Sequence, residues 1–360
     1  MAVRLIYDIP NLLFRVAAAQ RAKNPKMSPD ELVGISMHTA LFSVNKYFKA
    51  YKPDQVVFSF ENTNNWRKAY TARPDVDVPL QYKANRIPDP EMAHFFELIG
   101  EFKEVVSKHT SVITLSLEGC ECDDCIAGFC QMHANDQDQI YVVSGDKDFI
   151  QLLKYPNVQL INPDNGKPRN QPGDKIYFED IDYFMFLKCV RGDMGDYVHS
   201  AFPRVRETRV LKAYQDPYER VNFMNETWEM KDVFELNEDG TQKLDENGKP
   251  IPKTYRVGDL FEENKKLMDL ECQPEDVRER LIAHIEHETQ NFGQYSNFQM
   301  IKFLGRYRLN SITDNIETFI PLWTANSKAA KGGAERQQVV EQSGTKAAEA
   351  QAVKKGLLEF

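Results

Sequence analysis

"QIYVVSGDKDFIQLL", residues 139–153, decides the fold that we predict for this chain. Residues 139–144 form a short apolar run with β-branched side chains, which is typical of a buried strand. Two carboxylates, Asp146 and Asp148, follow that run almost at once. The stretch therefore predicts a strand that delivers acidic side chains to one edge of a sheet.

Similar apolar runs recur along the first half of the chain. Helical patterns separate most of them, for example at 30–51 and 90–109. Alternating strands and helices predict an α/β fold, with a mostly parallel central sheet that carries helices on both faces. The other runs are "VRLIYDI" (3–9), "QVVFSFE" (55–61), "SVITLSL" (111–117) and "NVQLIN" (157–162).

Acidic residues follow four of these strands in succession. Carboxyl ends of parallel strands share one edge of the sheet, which is where such folds bind ligands. Carboxylates gathered there would repel one another unless their pKa values rise or cations bind. The residues are Asp8, Glu61, Glu121, Asp123, Asp124, Asp146 and Asp148.

The pattern divides the chain into three parts. We predict an α/β core over 1–178 and a mainly helical part over 179–323. A hairpin insertion at about 235–253 carries two turn signals and few apolar residues. From 324 to 360 the composition is that of a flexible tail, which ends in the apolar peptide "GLLEF".

Composition limits the cellular setting and the class of protein. No apolar run reaches the length of a membrane span, and the N-terminus lacks the pattern of a secretion signal. The six cysteines lack disulfide-framework spacing, so we expect reduced thiols, a cytoplasmic location (the host cytoplasm for a phage protein) and no membrane partner. A net charge of −9 argues against a protein that merely coats nucleic acid.

Basic residues are nevertheless concentrated in two stretches. Such patches suit an acidic centre flanked by groups that bind phosphate, although two ordinary solvated helix faces would give the same pattern. The first stretch contains Arg67, Lys68, Arg73, Lys83 and Arg86, and the second contains Arg204, Arg206, Arg209 and Lys212.

The segment "EGCECDDCIAGFCQMH" (118–133) offers a second interpretation, a zinc site. Zinc takes four nitrogen or sulfur ligands in a tetrahedron. On a helix, Cys125 and Cys130 point in directions roughly 140° apart and do not converge. We therefore predict buried thiols and no zinc, with Cys120, Cys122 and His133 also outside any metal cage.

Four motifs in one order resemble the 5′-nuclease superfamily, which includes flap endonucleases and phage 5′ exonucleases. They are "LIYDIPNLLFR" (5–15), "ECDDCIA" (121–127), "VVSGDKDFIQLL" (142–153) and "VRGDMGD" (190–196). Further similarity to the ribonuclease H branch of T-even bacteriophages lies in "ENTNNWRK" (61–68), "YKANR" (82–86) and "DFIQLLKYPNV" (148–158). The resemblance extends from residue 3 to about 320.

The resemblance implies a nuclease that uses two Mg²⁺ ions, for which Mn²⁺ can substitute. Matching motifs place Asp8, Glu61, Glu121, Asp123 and Asp146 around a first ion, and Asp124, Asp148, Asp193 and Asp196 around a second. Mg²⁺ is a hard cation that prefers oxygen ligands, so the residue types agree with this assignment.

The resemblance also implies a helical gateway near 62–92 for the 5′ strand. Arg15 matches a position at the scissile phosphate, and Lys83 and Arg86 match the base of the gateway. Tyr82 is a candidate for stacking on a base, with core packing as the alternative. Among the basic residues, Arg67, Lys68, Arg204, Arg206, Arg209 and Lys212 are the candidates for contact with nucleic acid.

Several positions depart from the family pattern. Glu61 stands where Asp is usual, and Tyr197 stands where Asn is usual. The segment "YVHSAFPRVRETRV" (197–210) lacks the Gly-Ile-Gly hairpin that binds potassium in many relatives. We therefore expect duplex contact through arginines, without potassium.

The function predicted from these residues is a Mg²⁺-dependent 5′ to 3′ exonuclease and flap endonuclease that removes RNA primers during replication. Its substrates would be DNA and RNA–DNA duplexes with a 5′ end or flap, bound by a monomer. The alternative is a non-catalytic nucleic-acid-binding or scaffolding protein on a degenerate nuclease fold. A single-strand binding protein and a sliding clamp are the expected partners. Residues 354–360 are the candidate clamp peptide, although an unpurposed terminus explains them equally well.

Overall fold

A five-stranded parallel sheet forms the centre of the protein. The computed structural model describes residues 1–87, 92–237 and 239–327. The strands run in the order β3-β2-β1-β4-β5, so the chain starts in the middle of the sheet and builds outward on both sides. They are β1 (Val3–Asp8), β2 (Gln55–Ser59), β3 (Ile113–Leu115), β4 (Gln139–Val143) and β5 (Val158–Ile161).

Alternating side chains of the strands enter two different hydrophobic cores. Leu5 and Tyr7 of β1 point into one core, and Ile6 between them points into the other. This alternation is what a strand with two covered faces requires. The predicted α/β class and all five predicted strands are confirmed.

Helices of the first half cover both faces of the sheet. The longest of them, Pro29–Tyr51, starts with a proline in its first turn and a capping box between Ser28 and Glu31. The helices are α1 (Ile9–Lys23), α2 (Pro29–Tyr51), α3 (Trp66–Thr71), α4 (Ala93–His109) and α5 (Cys122–Met132), with a 3₁₀ helix over Asp148–Lys154.

The second half is mainly helical and contains an antiparallel hairpin. The hairpin strands are β6 (Thr227–Phe234) and β7 (Pro252–Arg256), and short bridges continue the pairing between them at Leu236–Gln242 and Leu244–Pro250. The helices are α6 (Ile181–Arg191), α7 (Glu207–Gln215), α8 (Pro217–Met224), α9 (Val257–Met268), α10 (Glu275–Gln290), α11 (Asn297–Arg306), α12 (Asn310–Thr313) and α13 (Ile320–Trp323), with a 3₁₀ helix over Ile316–Thr318.

The last helices complete the cores of the first half. Phe303 and Trp323 lie in the same core as Leu5, while Leu281 and Ile285 of α10 lie in the core of Ile6. The sheet therefore depends for its burial on helices that follow residue 178. The division at 178 marks a change of pattern in the sequence, and the hydrophobic cores cross it.

The chain stays packed slightly beyond the predicted start of the tail. Asn326 is 1% exposed, and its side-chain amide hydrogen-bonds the backbone N–H and C=O of Val56 at 2.9 Å each. Residues 324–327 thus belong to the fold. Residues 328–360, including the peptide at 354–360, lie outside the described residues. Within the ranges that the structure describes, no helix combines the length and apolar character needed to cross a membrane.

Candidate metal centre

The carboxyl-terminal edge of the sheet gathers the predicted acids. Asp8 ends β1 and caps α1, where its Oδ1 accepts a hydrogen bond from the Asn11 N–H at 3.1 Å. Its Oδ2 accepts one from the Ser144 hydroxyl at 2.8 Å, across to the end of β4. Strand β4 lies next to β1 in parallel register, so the loop that follows it, 144–148, lies beside Asp8.

The first turn of α5 presents two neighbouring acids in different directions. Successive residues of a helix differ in direction by about 100°. Asp123 points toward Asp8, and the two carboxylates lie with the Cys122 thiol in a group whose ligand atoms are within 4.8 Å of one another. Asp124 points the other way and is 0% exposed.

Asp124 forms a buried ion pair with Arg67. The guanidinium donates to both carboxylate oxygens at 2.8 Å and to Glu121 at 3.1 Å. Burial by itself would raise the pKa of Asp124, but the charge and hydrogen bonds of Arg67 outweigh it and lower that pKa. Both oxygens of Asp124 are already bound by Arg67, which argues against its predicted role at a metal ion, and that role stays a prediction.

Arg67 itself is 1% exposed. Its Nε donates to the carbonyl oxygen of Leu267 at 2.7 Å, and its guanidinium lies over the ring of Trp66. A side chain enclosed in this way has no surface to offer a nucleic acid. The prediction that Arg67 binds nucleic acid is wrong, and its structural role is to join α3, α5 and the end of α9.

Four of the acids lie together without a protein cation in contact. They are Asp8, Glu61, Asp123 and Asp146. Among the residues that the structure describes, none of these four carboxylates forms an ion pair with Lys or Arg within 4.0 Å. Burial and the charge of Asp146 raise the pKa of Asp8 to about 6. Burial and neighbouring acids also raise the pKa of Asp123 and Asp146. We call Asp8, Glu61, Asp123 and Asp146 the first acidic group.

Glu61 completes this group from the end of β2. Its Oε2 accepts a hydrogen bond from the Cys122 N–H at 3.2 Å. The Glu61 side chain reaches solvent, yet the surrounding protein, followed by the charge of Glu121, raises its pKa to about 7. Burial is the largest cause of all four shifts, and repulsion from neighbouring carboxylates adds to it.

Three other acids lie beside the first group, and each is paired with a protein cation. Asp148 contacts Lys188 at 2.7 Å, Asp193 contacts Lys147 at 3.4 Å, and Asp196 contacts Arg86 at 2.7 Å. Burial would raise the pKa of Asp193, but the charge of Lys147 and the Gly195 N–H lower it. We call Asp148, Asp193 and Asp196 the second acidic group.

The residues at this edge fit divalent metal ions. Mg²⁺ and Mn²⁺ favour carboxylate oxygens, and both groups are built almost entirely of them. Asp148 Oδ1 is buried and has no hydrogen-bond partner, so one oxygen of the second group is free for a ligand. A dication would also relieve the repulsion that raises the pKa values of the first group.

Glu121 lies between the two groups and is held by cations. Lys83 and Arg67 both form ion pairs with its carboxylate. Burial would raise the pKa of Glu121, but Arg67 and Lys83 outweigh it and lower that pKa. Its assignment as a direct metal ligand stays a prediction.

The predicted gateway residues Tyr82, Lys83 and Arg86 lie next to these acids. The predicted role of Tyr82 does not agree with its position. Lys83 is largely buried against Glu121, whereas Arg86 is exposed and reaches Asp196. Tyr82 is 5% exposed, and its hydroxyl lies within hydrogen-bond distance of Glu121 and Asp196. The prediction that Tyr82 stacks on a base is wrong, because its ring is part of the core.

Arg15 closely approaches the acidic loop, residues 144–148, which follows β4. It lies on the first helix after Asp8, is paired with Asp164, and passes directly over Gly145. A Cβ at Gly145 would come within 2.6 Å of the Arg15 Cδ. Gly145 therefore leaves the space through which Arg15 reaches the site.

Sequence reasoning missed three basic residues at the site. Lys147 lies inside the motif "GDKD", and Lys188 is a lysine within the apolar pattern of α6, so both carried a signal. Arg169 donates to the carbonyl oxygens of Ser144 and Asp146 and so braces the acidic loop. A single Arg in an irregular loop carried no comparable signal.

The remaining predicted residues lie at the surface or in the cores. Lys68, Arg204, Arg206, Arg209 and Lys212 are exposed. Arg209 and Lys212 form surface ion pairs with Glu226 and Glu219. The thiols of Cys120, Cys122, Cys125 and Cys130 are buried, and Cys122 is the one that contacts an acid of the site, Asp8. His133 pairs with Asp136, away from the acids.

Comparison with known proteins agrees with this geometry. Residues 4–179 match the family model of the 5′-3′ exonuclease N-terminal resolvase-like domain. The flap endonuclease Xni of Aliivibrio fischeri is 27% identical over 157 residues, which cover 42% of this chain and 54% of that protein. Ribonuclease H of Enterobacteria phage T4 is 26% identical over 185 residues, covering 48% and 56%. The chain thus spans about half the length of the curated relatives it matches.

Solved structures show the same fold at low sequence identity. The T5 D15 protein crystallised with metal ions has a TM-score of 0.51 and 17% identity, and the match covers 79% of this chain and 99% of that one. A complex of the bacteriophage T5 D15 flap endonuclease with DNA and metal ions has a TM-score of 0.51 and 16% identity, with 79% and 98% covered. At this identity the likeness establishes the fold.

The parallel sheet and its acidic carboxyl-terminal edge define an α/β fold with a candidate centre for divalent metal ions. The family-model match over residues 4–179 and the two curated relatives support placing the chain in the 5′-nuclease superfamily.

Proposed function

We propose that this protein is a divalent-cation-dependent 5′ nuclease. The observation that carries the proposal is the first acidic group, four carboxylates that lie together at the edge of the sheet without a protein cation in contact. Such an arrangement is unfavourable for the fold alone, and strong perturbation of this kind is typical of functional sites.

Asp8, Glu61, Asp123 and Asp146 would hold one ion, and Asp148, Asp193 and Asp196 a second. Bound Mg²⁺ ions supply hydroxide and charge stabilisation for phosphodiester hydrolysis. Arg15, Lys83 and Arg86 would bind the phosphates of the strand next to these acids. Their cationic groups allow a polyanion to approach an edge that carries so many carboxylates.

A groove beside the acidic loop offers a path for the strand. A cleft of about 530 Å³ is lined by Lys167, Arg169 and Lys175, together with Asn162 and Asn170. Arg169 lines this cleft and also braces the loop 144–148, so the cleft lies next to that loop. The exposed residues Arg204, Arg206 and Arg209 would contact the duplex on the side of the second half.

We further propose the finer role predicted from the sequence. The substrates are DNA and RNA–DNA duplexes with a 5′ end or flap, Mg²⁺ is the working ion, and the reaction removes RNA primers during replication. The resemblance to the T-even ribonuclease H branch and the match to the T4 enzyme support this choice.

The test is a cleavage assay with 5′-labelled RNA-primed duplex and flap substrates, in Mg²⁺ or in EDTA. We expect short 5′ products in Mg²⁺ alone, and none from Asp146→Asn. Asp136→Asn is the matched control, because Asp136 pairs with Arg4 at the opposite end of β4. Binding of these substrates without cleavage in Mg²⁺ or Mn²⁺ would favour a non-catalytic protein instead.

A further inference from the structure

The two acidic groups differ in how the protein neutralises them. The structure shows no ion pair to Lys or Arg for any acid of the first group within its described ranges. Every acid of the second group has one, as its contacts with Lys188, Lys147 and Arg86 show. This contrast between adjacent clusters is a property of this chain's own side chains.

The two lysines of the second group are positioned in different ways. Lys188 is almost fully enclosed, with 7% of its side chain exposed, and its ammonium group contacts Asp148 Oδ2. Lys147 has 54% of its side chain exposed and reaches Asp193 from the loop between Asp146 and Asp148. One cation is therefore fixed inside the protein, and the other is free to swing into solvent.

We infer that Lys147 and Lys188 keep the second acidic group closed to a divalent cation in the free protein, so that the two groups fill in order. This inference rests on the proposed function and adds a sequence of events to it. The ion of the first group enters without competition. The second ion enters after Lys147 has turned toward a phosphate of the bound strand.

Simple electrostatics supports this order. An ammonium group a few ångströms from a carboxylate repels an incoming dication and already satisfies the carboxylate. A phosphate offers Lys147 an alternative partner of the same charge sign as Asp193, so substrate binding would release the acid. In this role Lys147 and Lys188 are positioning residues.

The experiment counts Mn²⁺ ions bound to the full chain by electron paramagnetic resonance of free Mn²⁺. We expect one tight and one weak site in the unmodified protein. Lys147→Met should tighten the weak site about tenfold and leave the tight site unchanged. Lys154→Met is the matched control, since Lys154 pairs with Glu271 away from the acids, and it should alter neither site.

A second variant extends the test. Lys147→Met combined with Lys188→Met should tighten the weak site further, with circular dichroism confirming the fold. Unchanged or weaker binding at the second site in Lys147→Met would overturn the inference. That result differs from failure of the proposed function, in which the unmodified protein would cleave no 5′ end at any Mg²⁺ or Mn²⁺ concentration.

Discussion

Arg67 and Asp124 form a two-bonded ion pair inside the protein, with 2% and 0% of their side chains exposed. The pair draws the first turn of α5 toward α3 and turns Asp124 away from Asp123. The consequence is a division of labour between two adjacent acids: one fixes the helix, and the other remains available to the metal centre.

Breaking this pair should destabilise the protein strongly. Asp124→Asn and Arg67→Met each leave a partner buried without its counter-charge, which costs about 3–5 kcal/mol. Urea denaturation followed by circular dichroism would measure the loss. Lys68→Met, on the exposed face of the same helix, should change the free energy of unfolding by less than about 0.5 kcal/mol. Equal effects of the two substitutions would contradict a structural role for Arg67.

The same pair should contribute to acid unfolding. The pKa of Asp124 is lower in the folded protein than in the unfolded chain. Its contribution to stability is therefore present above the unfolded pKa, near 4, and is lost as the pH falls through the folded pKa. Urea midpoints measured between pH 6 and pH 3 should fall more steeply for the unmodified protein than for Asp124→Asn. Parallel curves would show that another group controls this range.

The first acidic group should produce the opposite pH dependence in metal-free protein. Asp8 has its pKa raised from 3.8 to about 6, so it binds its proton more tightly when folded. Stability from this group is complete below the unfolded pKa and is lost as the pH rises through about 6. In the presence of a chelator, the free energy of unfolding should drop by roughly 2 kcal/mol between pH 4.5 and pH 7.5 from Asp8 alone.

Divalent cations should cancel that loss. Added Mg²⁺ or Mn²⁺ should raise the melting temperature at pH 7.5 more than at pH 4.5, because the ion binds the deprotonated acids. Asp146→Asn removes one repulsive charge, so it should raise the melting temperature of metal-free protein and reduce the increase due to the ion. Asp136→Asn provides the comparison. A melting temperature insensitive to both ions would count against a metal centre here.

Gly145→Ala should act through Arg15. The added Cβ collides with the flexible end of the Arg15 side chain, which can move away, so stability should change little. Cleavage should fall about 10- to 100-fold, as it should for Arg15→Ala, because the guanidinium no longer lies over the site. The double variant should be no worse than Arg15→Ala alone. Gly100→Ala in α4, where an added Cβ meets nothing within 4 Å, should leave cleavage unchanged.

Local sequence patterns predicted most of the sheet and the position of its acids. Apolar runs identified the strands, and parallel topology then placed residues as distant as Asp8 and Asp146 at one edge. The partners of these acids depend on packing between remote segments, which no local pattern encodes. Arg67 and Asp124 are 57 residues apart in the sequence. Arg67 lies in a basic stretch that predicted a surface helix, so no pattern in the sequence indicated that its side chain would be buried.

The end of the fold was misplaced for a similar reason. The segment after Trp323 has the composition of a linker, and composition does not reveal that a single Asn finds four buried partners. Asn326 bonds Val56 through both its amide N–H and its carbonyl oxygen, the Ser111 carbonyl oxygen at 2.8 Å, and the Ser111 hydroxyl through its own backbone N–H at 3.1 Å. One side chain thus closes a gap between the ends of β2 and β3.

Asn326→Ala should therefore be costly, although the position lies inside the predicted tail. It leaves the N–H and C=O of Val56 and the C=O of Ser111 without partners in a buried setting, where each orphaned group costs about 1–3 kcal/mol. We expect a loss of about 3 kcal/mol in the free energy of unfolding, measured by urea denaturation. Asn135→Ala, at an exposed position, should cost less than about 0.5 kcal/mol. Hydrogen exchange adds a local criterion: the Val56 amide should lose protection in Asn326→Ala by more than the global loss of stability explains, since its acceptor is removed even in molecules that remain folded.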